Sequence, residues 1–179
     1  MIDIKTFFEQ SEGKWFTQRT QYNLADQKVD NSQAQLTVEL LDPNDSAIAQ
    51  LYEQGSNQLQ PHLSLEERLL DVAGAKISWE AEGEKGSNLI VFITHDETKQ
   101  NGQLIQKRMN SEQSATVGNF VIGEDEALTL STTADTNSLI KERVWFAHPN
   151  LRLRTVWQEK ASGHQGWVMF YSEIRRMTS

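Results

Sequence analysis

The chain has 179 residues, 25 of them acidic and 17 basic, for a formal net charge of -8, so a phosphate-tracking surface for nucleic acid is not expected. Five Trp and seven Phe give a chain that is only 37% hydrophobic enough apolar area for one core, and a single domain over 1–179 is expected. There is no cysteine, which excludes disulfides, thiolate metal sites and a cysteine nucleophile.

Asp3 is placed to cap a helix over 4–10, with Ile4, Phe7 and Phe8 at helical spacing and Gly13 as its stop. The opening MIDIKTFFEQSEGKW has no basic stretch leading into an apolar core, and no run approaches the roughly 20 apolar residues that span a bilayer. A cytoplasmic protein without membrane insertion is the expectation. WFTQRTQYNL and SQAQLTVELLD then alternate as strands, and DPNDSAIAQLYEQG reads as a capped helix presenting Ala47, Ile48, Leu51 and Tyr52 on one side. After a looser segment around Pro61, eight short strand-like runs follow at 75–81, 88–94, 104–109, 115–122, 127–133, 139–147, 151–158 and 166–174. EGEKG, DETKQNG, GED, TADTN, HPN and KASGHQG separate them as turns.

This is the pattern of an antiparallel meander of about ten strands. Such a sheet closes readily into an up-and-down barrel, because closure removes both edges, and a barrel of that size has room for a small ligand. A sandwich has the same periodicity.

Chemistry concentrates in KERVWFAHPNLRLRT, residues 141–155. Glu142 shares a period-2 face with Ile140, Val144 and Phe146, and beyond the Pro149 turn Arg152 and Arg154 share a face of the next strand. Antiparallel pairing with an even residue sum, for instance Glu142 opposite Arg154, puts the acid and both arginines on one side; an odd sum separates them. Periodicity leaves that choice open, and it equally describes arginines on a solvated face with Leu151 and Leu153 inside. Arg19 lies in a strand neither of whose faces is clearly core, and Trp79, in line with Ile77 and Ala81, suits either core filling or a ligand wall. His62, His95, His148 and His164 stand far apart, so no metal site is expected. Phosphate loops and nucleophile elbows have no matching motif.

GKWFTQRTQYNL near the start, SWE at 78–80 and above all KERVWFAHPNLRLRT resemble the S/U-type phycobiliprotein chromophore lyases, in matching order from FFEQSEGKW to YSEIRR. The resemblance implies a barrel like those of lipocalins and fatty-acid-binding proteins. It implies an enzyme that binds a linear tetrapyrrole such as phycocyanobilin and transfers it to a cysteine of an apo-phycobiliprotein subunit, with the bilin as substrate and no separate cofactor. Glu142 would be the catalytic acid facing the pyrrole N–H groups, Arg152, Arg154 and Arg19 would hold the propionates, and Trp79 would stack on the conjugated system. Homodimers and heterodimers with a related lyase both fit the family. Val156 stands where the family commonly has a small hydroxyl, and His148 where it has Ser. Alternatives are a non-catalytic carrier of bilin or another small apolar ligand, and an accessory subunit of a heterodimeric lyase.

Overall fold

The computed structural model of the chain describes residues 2–59, 72–94, 97–135, 138–160 and 165–177. The segment around Pro61 and three of the four histidines, His62, His95 and His164, lie outside them. A helix α1 (Ile4–Ser11) leads into β1 (Gly13–Asn23) and β2 (Lys28–Leu41), followed by α2 (Ser46–Gly55) and a 3-10 turn at Ser56–Gln58. Eight further strands follow: β3 (Val72–Ala81), β4 (Glu84–Thr94), β5 (Asn101–Arg108), β6 (Thr116–Ile122), β7 (Leu128–Asp135), β8 (Ser138–His148), β9 (Leu151–Lys160) and β10 (Gln165–Arg175).

Every strand pairs antiparallel with its neighbour in sequence, and β1 pairs with β10, so the meander closes into the expected ten-stranded barrel. The two helices also fall where expected. Asp3 accepts the Thr6 amide at 2.7 Å and starts α1, while Asp45 accepts the Ala47 amide at 2.8 Å and starts α2. Helix α1 ends at Ser11, and Gly13, at φ +119, makes the turn into β1 that a side chain would resist.

Helix α1 plugs one end of the barrel. Its Ile4, Phe7 and Phe8 are buried with Trp15, Leu36, Phe92, Phe120 and Leu128 from the surrounding strands. The Trp15 indole donates to the Ser11 carbonyl at 2.8 Å, and the Arg175 guanidinium donates to the carbonyls of Gln10 and Glu12. These bonds satisfy carbonyls that the end of a helix leaves without partners. Helix α2 instead lies outside the wall, where Ile48, Leu51 and Tyr52 bury Val91, Ile93 and Ile105. Strand β4 is thus apolar on both faces because each face is covered: Ile90 and Phe92 point in, Val91 and Ile93 point out. With one end filled, the interior stays hollow toward the other.

Candidate functional site

The hollow is a cavity of about 530 Å³ in the open half of the barrel. Its polar wall is built by four adjacent strands whose registers stack inward side chains in rows. Thr17, Glu173, Arg152 and Phe146 form one row across β1, β10, β9 and β8; Arg19, Tyr171, Arg154 and Val144 form the next. In the third row Val156 stands opposite Glu142.

The β8–β9 register has an even sum, so Glu142, Arg152 and Arg154 share the interior face. The pairing is displaced by two residues from a direct Glu142–Arg154 match, because Arg154 sits opposite Val144. The diagonal is still short enough for contact: Arg154 Nη1 lies 3.2 Å from Glu142 Oε1. Between Phe146 and His148 the ladder slips at a bulge, which sets the hairpin turn off the register of the strands. Leu151 and Leu153 take the outer face and are only half-buried, so the arrangement with leucines inside is not the one adopted.

A carboxylate not singled out from the sequence completes the cluster. Glu173 on β10 is 0% exposed, receives the Arg152 Nε hydrogen bond at 2.5 Å, and places Oε1 3.2 Å from Arg154 Nη2. Arg152, 6% exposed, also lies over the Trp15 ring at 4.9 Å. Arg154 lies over the Tyr171 ring at 3.8 Å. Burial works against the charge on both guanidiniums. For Arg154 the flanking Glu173 and Glu142 outweigh it and hold the group above its ordinary value, whereas Arg152, with Glu173 on one side and cationic Arg154 on the other, is left below. Both stay cationic, as arginine does in proteins. Burial likewise raises the Tyr171 phenol, so it keeps its proton and donates to the weak acceptor Met169 Sδ at 3.1 Å.

Two donors in this wall are unused. Arg19 Nε and Arg154 Nε are buried without a hydrogen-bond partner in the protein, although Arg19 Nη2 reaches Asp30 at 3.0 Å and Arg154 makes the ion pairs above. Thr17 Oγ1, which can donate or accept, and the acceptor Glu173 Oε1, ion-paired with Arg154, are the other buried polar atoms without a hydrogen-bond partner among the described residues. Buried donors are normally satisfied, so the two guanidinium N–H groups on one cavity wall are available to acceptor oxygens of a ligand.

Trp79 stands across the cavity on β3. It is directly opposite Gly86, and a Cβ on that glycine would come within 2.3 Å of Trp79 Cζ2, so the indole lies flat over the bare backbone. The Arg108 guanidinium covers the indole at 5.3 Å and pairs with Glu84 at 2.8 Å. Trp79 is therefore a cavity wall, partly buried and packed against the core cluster. All five residues singled out from the sequence, Arg19, Trp79, Glu142, Arg152 and Arg154, line this one cavity. Among the described residues, no group of three or more His, Asp or Glu is gathered as metal ligands would be.

Glu173 and Tyr171 were legible in principle. In MFYSEIRR they alternate on one face of the last strand, and an acid in line with Met169 and Tyr171 is the same signal that drew attention to Glu142.

Comparison with known proteins fits this geometry. The family model described as CpeS-like protein matches residues 3–176, nearly the whole chain. This chain belongs to the CpeS-like family. A relative named chromophore lyase CpcS/CpeS from Thermosynechococcus vestitus is 37% identical over 97% of this chain and 93% of its own length. A second of that name from Trichodesmium erythraeum is 33% identical over 99% of this chain and 100% of its own. The solved S-type phycobiliprotein lyase CPES of Guillardia theta superposes with a TM-score of 0.73 at 22% identity, covering 99% of this chain and 95% of that one, which shows the shared barrel. Family membership makes this CpeS-like chain an enzyme of the chromophore lyase class.

Proposed function

We propose that this CpeS-like chain binds a linear tetrapyrrole non-covalently in the barrel and transfers it to a cysteine of an apo-phycobiliprotein subunit as a thioether. The observation that carries the reading is the wall holding Glu142 beside the unused Nε donors of Arg19 and Arg154, facing Trp79 across about 530 Å³. The ligand chemistry matches it group by group. A bilin has two propionates, a pyrrole array that can share a positive charge, and a long conjugated face; the cavity is of the size such sites have.

Arg19 and Arg154 each have one N–H to give a propionate, worth roughly 1.5–3 kcal/mol as a shielded, charge-assisted bond. Arg152, closed in by Glu173 and Trp15, stands behind them and fixes Glu173 beside Arg154. Glu142 is the acid at the pyrrole nitrogens. Holding the bilin in its protonated, cationic form makes the ethylidene carbon of ring A electron-poor and open to the acceptor thiolate. The sulfur bonds to that carbon, the ethylidene double bond gives up its π pair to the ring, and the proton lost by the thiol is returned there. The step is a redox-neutral addition and asks for no resident cofactor.

A second reading has its own observation. Val156, which cannot hydrogen-bond, sits directly opposite Glu142 on the cavity side, where the family pattern has a hydroxyl. A weaker hold on the pyrrole array would suit an accessory subunit, and a relative from Picosynechococcus is named phycocyanobilin lyase subunit CpcS. The test is to mix the protein with phycocyanobilin, follow the visible band, then add apo-phycobiliprotein subunit and look for covalent fluorescence on a denaturing gel. A shifted band followed by covalent product is expected from the lone chain. A band with no product until a related lyase is added selects the accessory subunit, and no band contradicts bilin uptake altogether.

A further inference from the structure

The barrel wall is not fully paired. Strand β2 pairs with β1 from Lys28 to Val38, but with β3 only from Ala34 to Leu41. Among the described residues, Lys28–Gln33 therefore have a ladder on one side and none on the other. An open strand edge of six residues presents main-chain N–H and C=O groups to whatever lies beside it, and proteins usually cover or disrupt such edges.

A groove of about 890 Å³ meets this edge at Asn31–Gln33 and continues beside the paired Ala34 and Gln35. Asn31 and Gln33, from the outer face of β2, and Ser32 and Ala34, from the inner face, all line it. Phe16, Gln18 and Thr20, from the outer face of β1, line it as well, so the groove crosses the outer face of the β1–β2 pair and wraps over the open side of β2 to its inner face. Glu80 to Glu82, where β3 turns away, close its end. The groove shares Arg19, Ser32, Gln33, Ala34, Ala81 and Glu82 with the interior cavity, so the two spaces communicate beside Arg19.

We propose that Lys28–Gln33 is the docking edge for the acceptor protein: an extended segment of the acceptor adds to β2 as one more strand and so presents its thiol at the cavity mouth. The proposal rests on the lyase reading above and adds the place and mode of acceptor binding. The groove has the chemistry for a polypeptide rather than for the bilin. Its lining is rich in amides and hydroxyls, with Gln18, Thr20, Asn31 and Gln33 beside an open main-chain edge that only another main chain can pair in register. Glu82 and Glu80, the latter paired with Lys85 at 2.7 Å, put carboxylates at the lip. They attract a segment with a basic residue, whereas Arg152 and Arg154, the arginines that answer propionates, line the interior cavity and not the groove.

The absence of cysteine makes a direct test available, since one introduced thiol is unique in the chain. Asn31→Cys places it on the edge, and Val121→Cys, at an exposed position on β6 away from the groove, serves as control. Each variant is coupled to a bulky polyethylene glycol maleimide, freed of reagent, loaded with phycocyanobilin and given the apo-phycobiliprotein subunit. The blocked Asn31 variant is expected to keep the visible bilin band and lose transfer at least ten-fold, whereas the blocked Val121 variant keeps both. Equal transfer by the two, or equal loss, overturns the edge. Loss of the bilin band only in the blocked Asn31 variant also overturns it, by assigning the groove to bilin entry. If the unmodified protein gives no band, it is the lyase reading that fails, and the docking edge with it.

Discussion

Glu173 decides the electrostatics of the interior more than the residues the sequence drew attention to. It is the fully buried counter-ion of Arg152 and a partner of Arg154, and removing one member of a buried ion cluster strands the rest without compensation. Glu173→Gln should therefore cost about 3–5 kcal/mol, read as a lower urea midpoint at unchanged m-value and a melting temperature lower by roughly 10 °C or more. A variant as stable as the parent would mean the arginines find other partners. Arg154→Ala acts differently, since it takes away a donor available to the ligand. Bilin affinity should fall about ten- to a hundred-fold in an absorbance titration, and an unchanged affinity would place the propionates elsewhere. At this scale the sequence revealed which side chains carry chemistry but left their facing unresolved. Arg152 and Arg154 alternate with leucines that could equally have been the core, and only the β8–β9 register shows which set faces inward.

Among the elements, α1 and the β3–β4 hairpin are where local sequence most directly shapes the cavity. The Asp3 cap starts the helix that plugs the barrel. Partial burial works against the carboxylate, yet the hydrogen bonds from Thr6 outweigh it and hold the group below its ordinary value. The cap's contribution is accordingly present above the ordinary carboxylate range and lost as pH falls below about 4. Asp3→Ala should lower stability by about 1 kcal/mol at neutral pH, and the gap to the parent should narrow in acid. A gap that does not change with pH would remove the carboxylate from the explanation. In the hairpin, Gly86 leaves room for the Trp79 indole, and a methyl group there would come within 2.3 Å of the ring. Gly86→Ala should shift the tryptophan emission, which reports the displaced indole, and weaken bilin binding; a shifted emission with unchanged bilin affinity would make Trp79 simply filler. These elements were legible early, the helices from their caps and the strands from alternation and turn residues. The Gly86 contact was not, because residues opposite across a hairpin are set by register rather than by a local motif.

For the whole molecule, closure follows from the meander: ten strands in sequence order leave two free edges, and pairing β1 with β10 removes both. The barrel was readable from the spacing of its turns, and the plug from the apolar stripe of α1. Hollowness was not, since it depends on α1 filling one end while β1, β8, β9 and β10 turn charged residues inward at the other. That division gives the molecule an aromatic floor and a charged upper chamber, the arrangement on which the proposed transfer depends. Its central claim is that Glu142 serves the chemistry while the arginine wall serves binding. The most direct measurement is Glu142→Gln in the two-stage assay, with the phycocyanobilin band titrated first and covalent transfer to the apo-phycobiliprotein subunit then followed in a single turnover. A retained band is expected, with no more than a modest loss of affinity, together with a fall in transfer rate of about a hundred-fold or more, within the range general acid–base groups supply. A variant that transfers bilin as fast as the parent would contradict it.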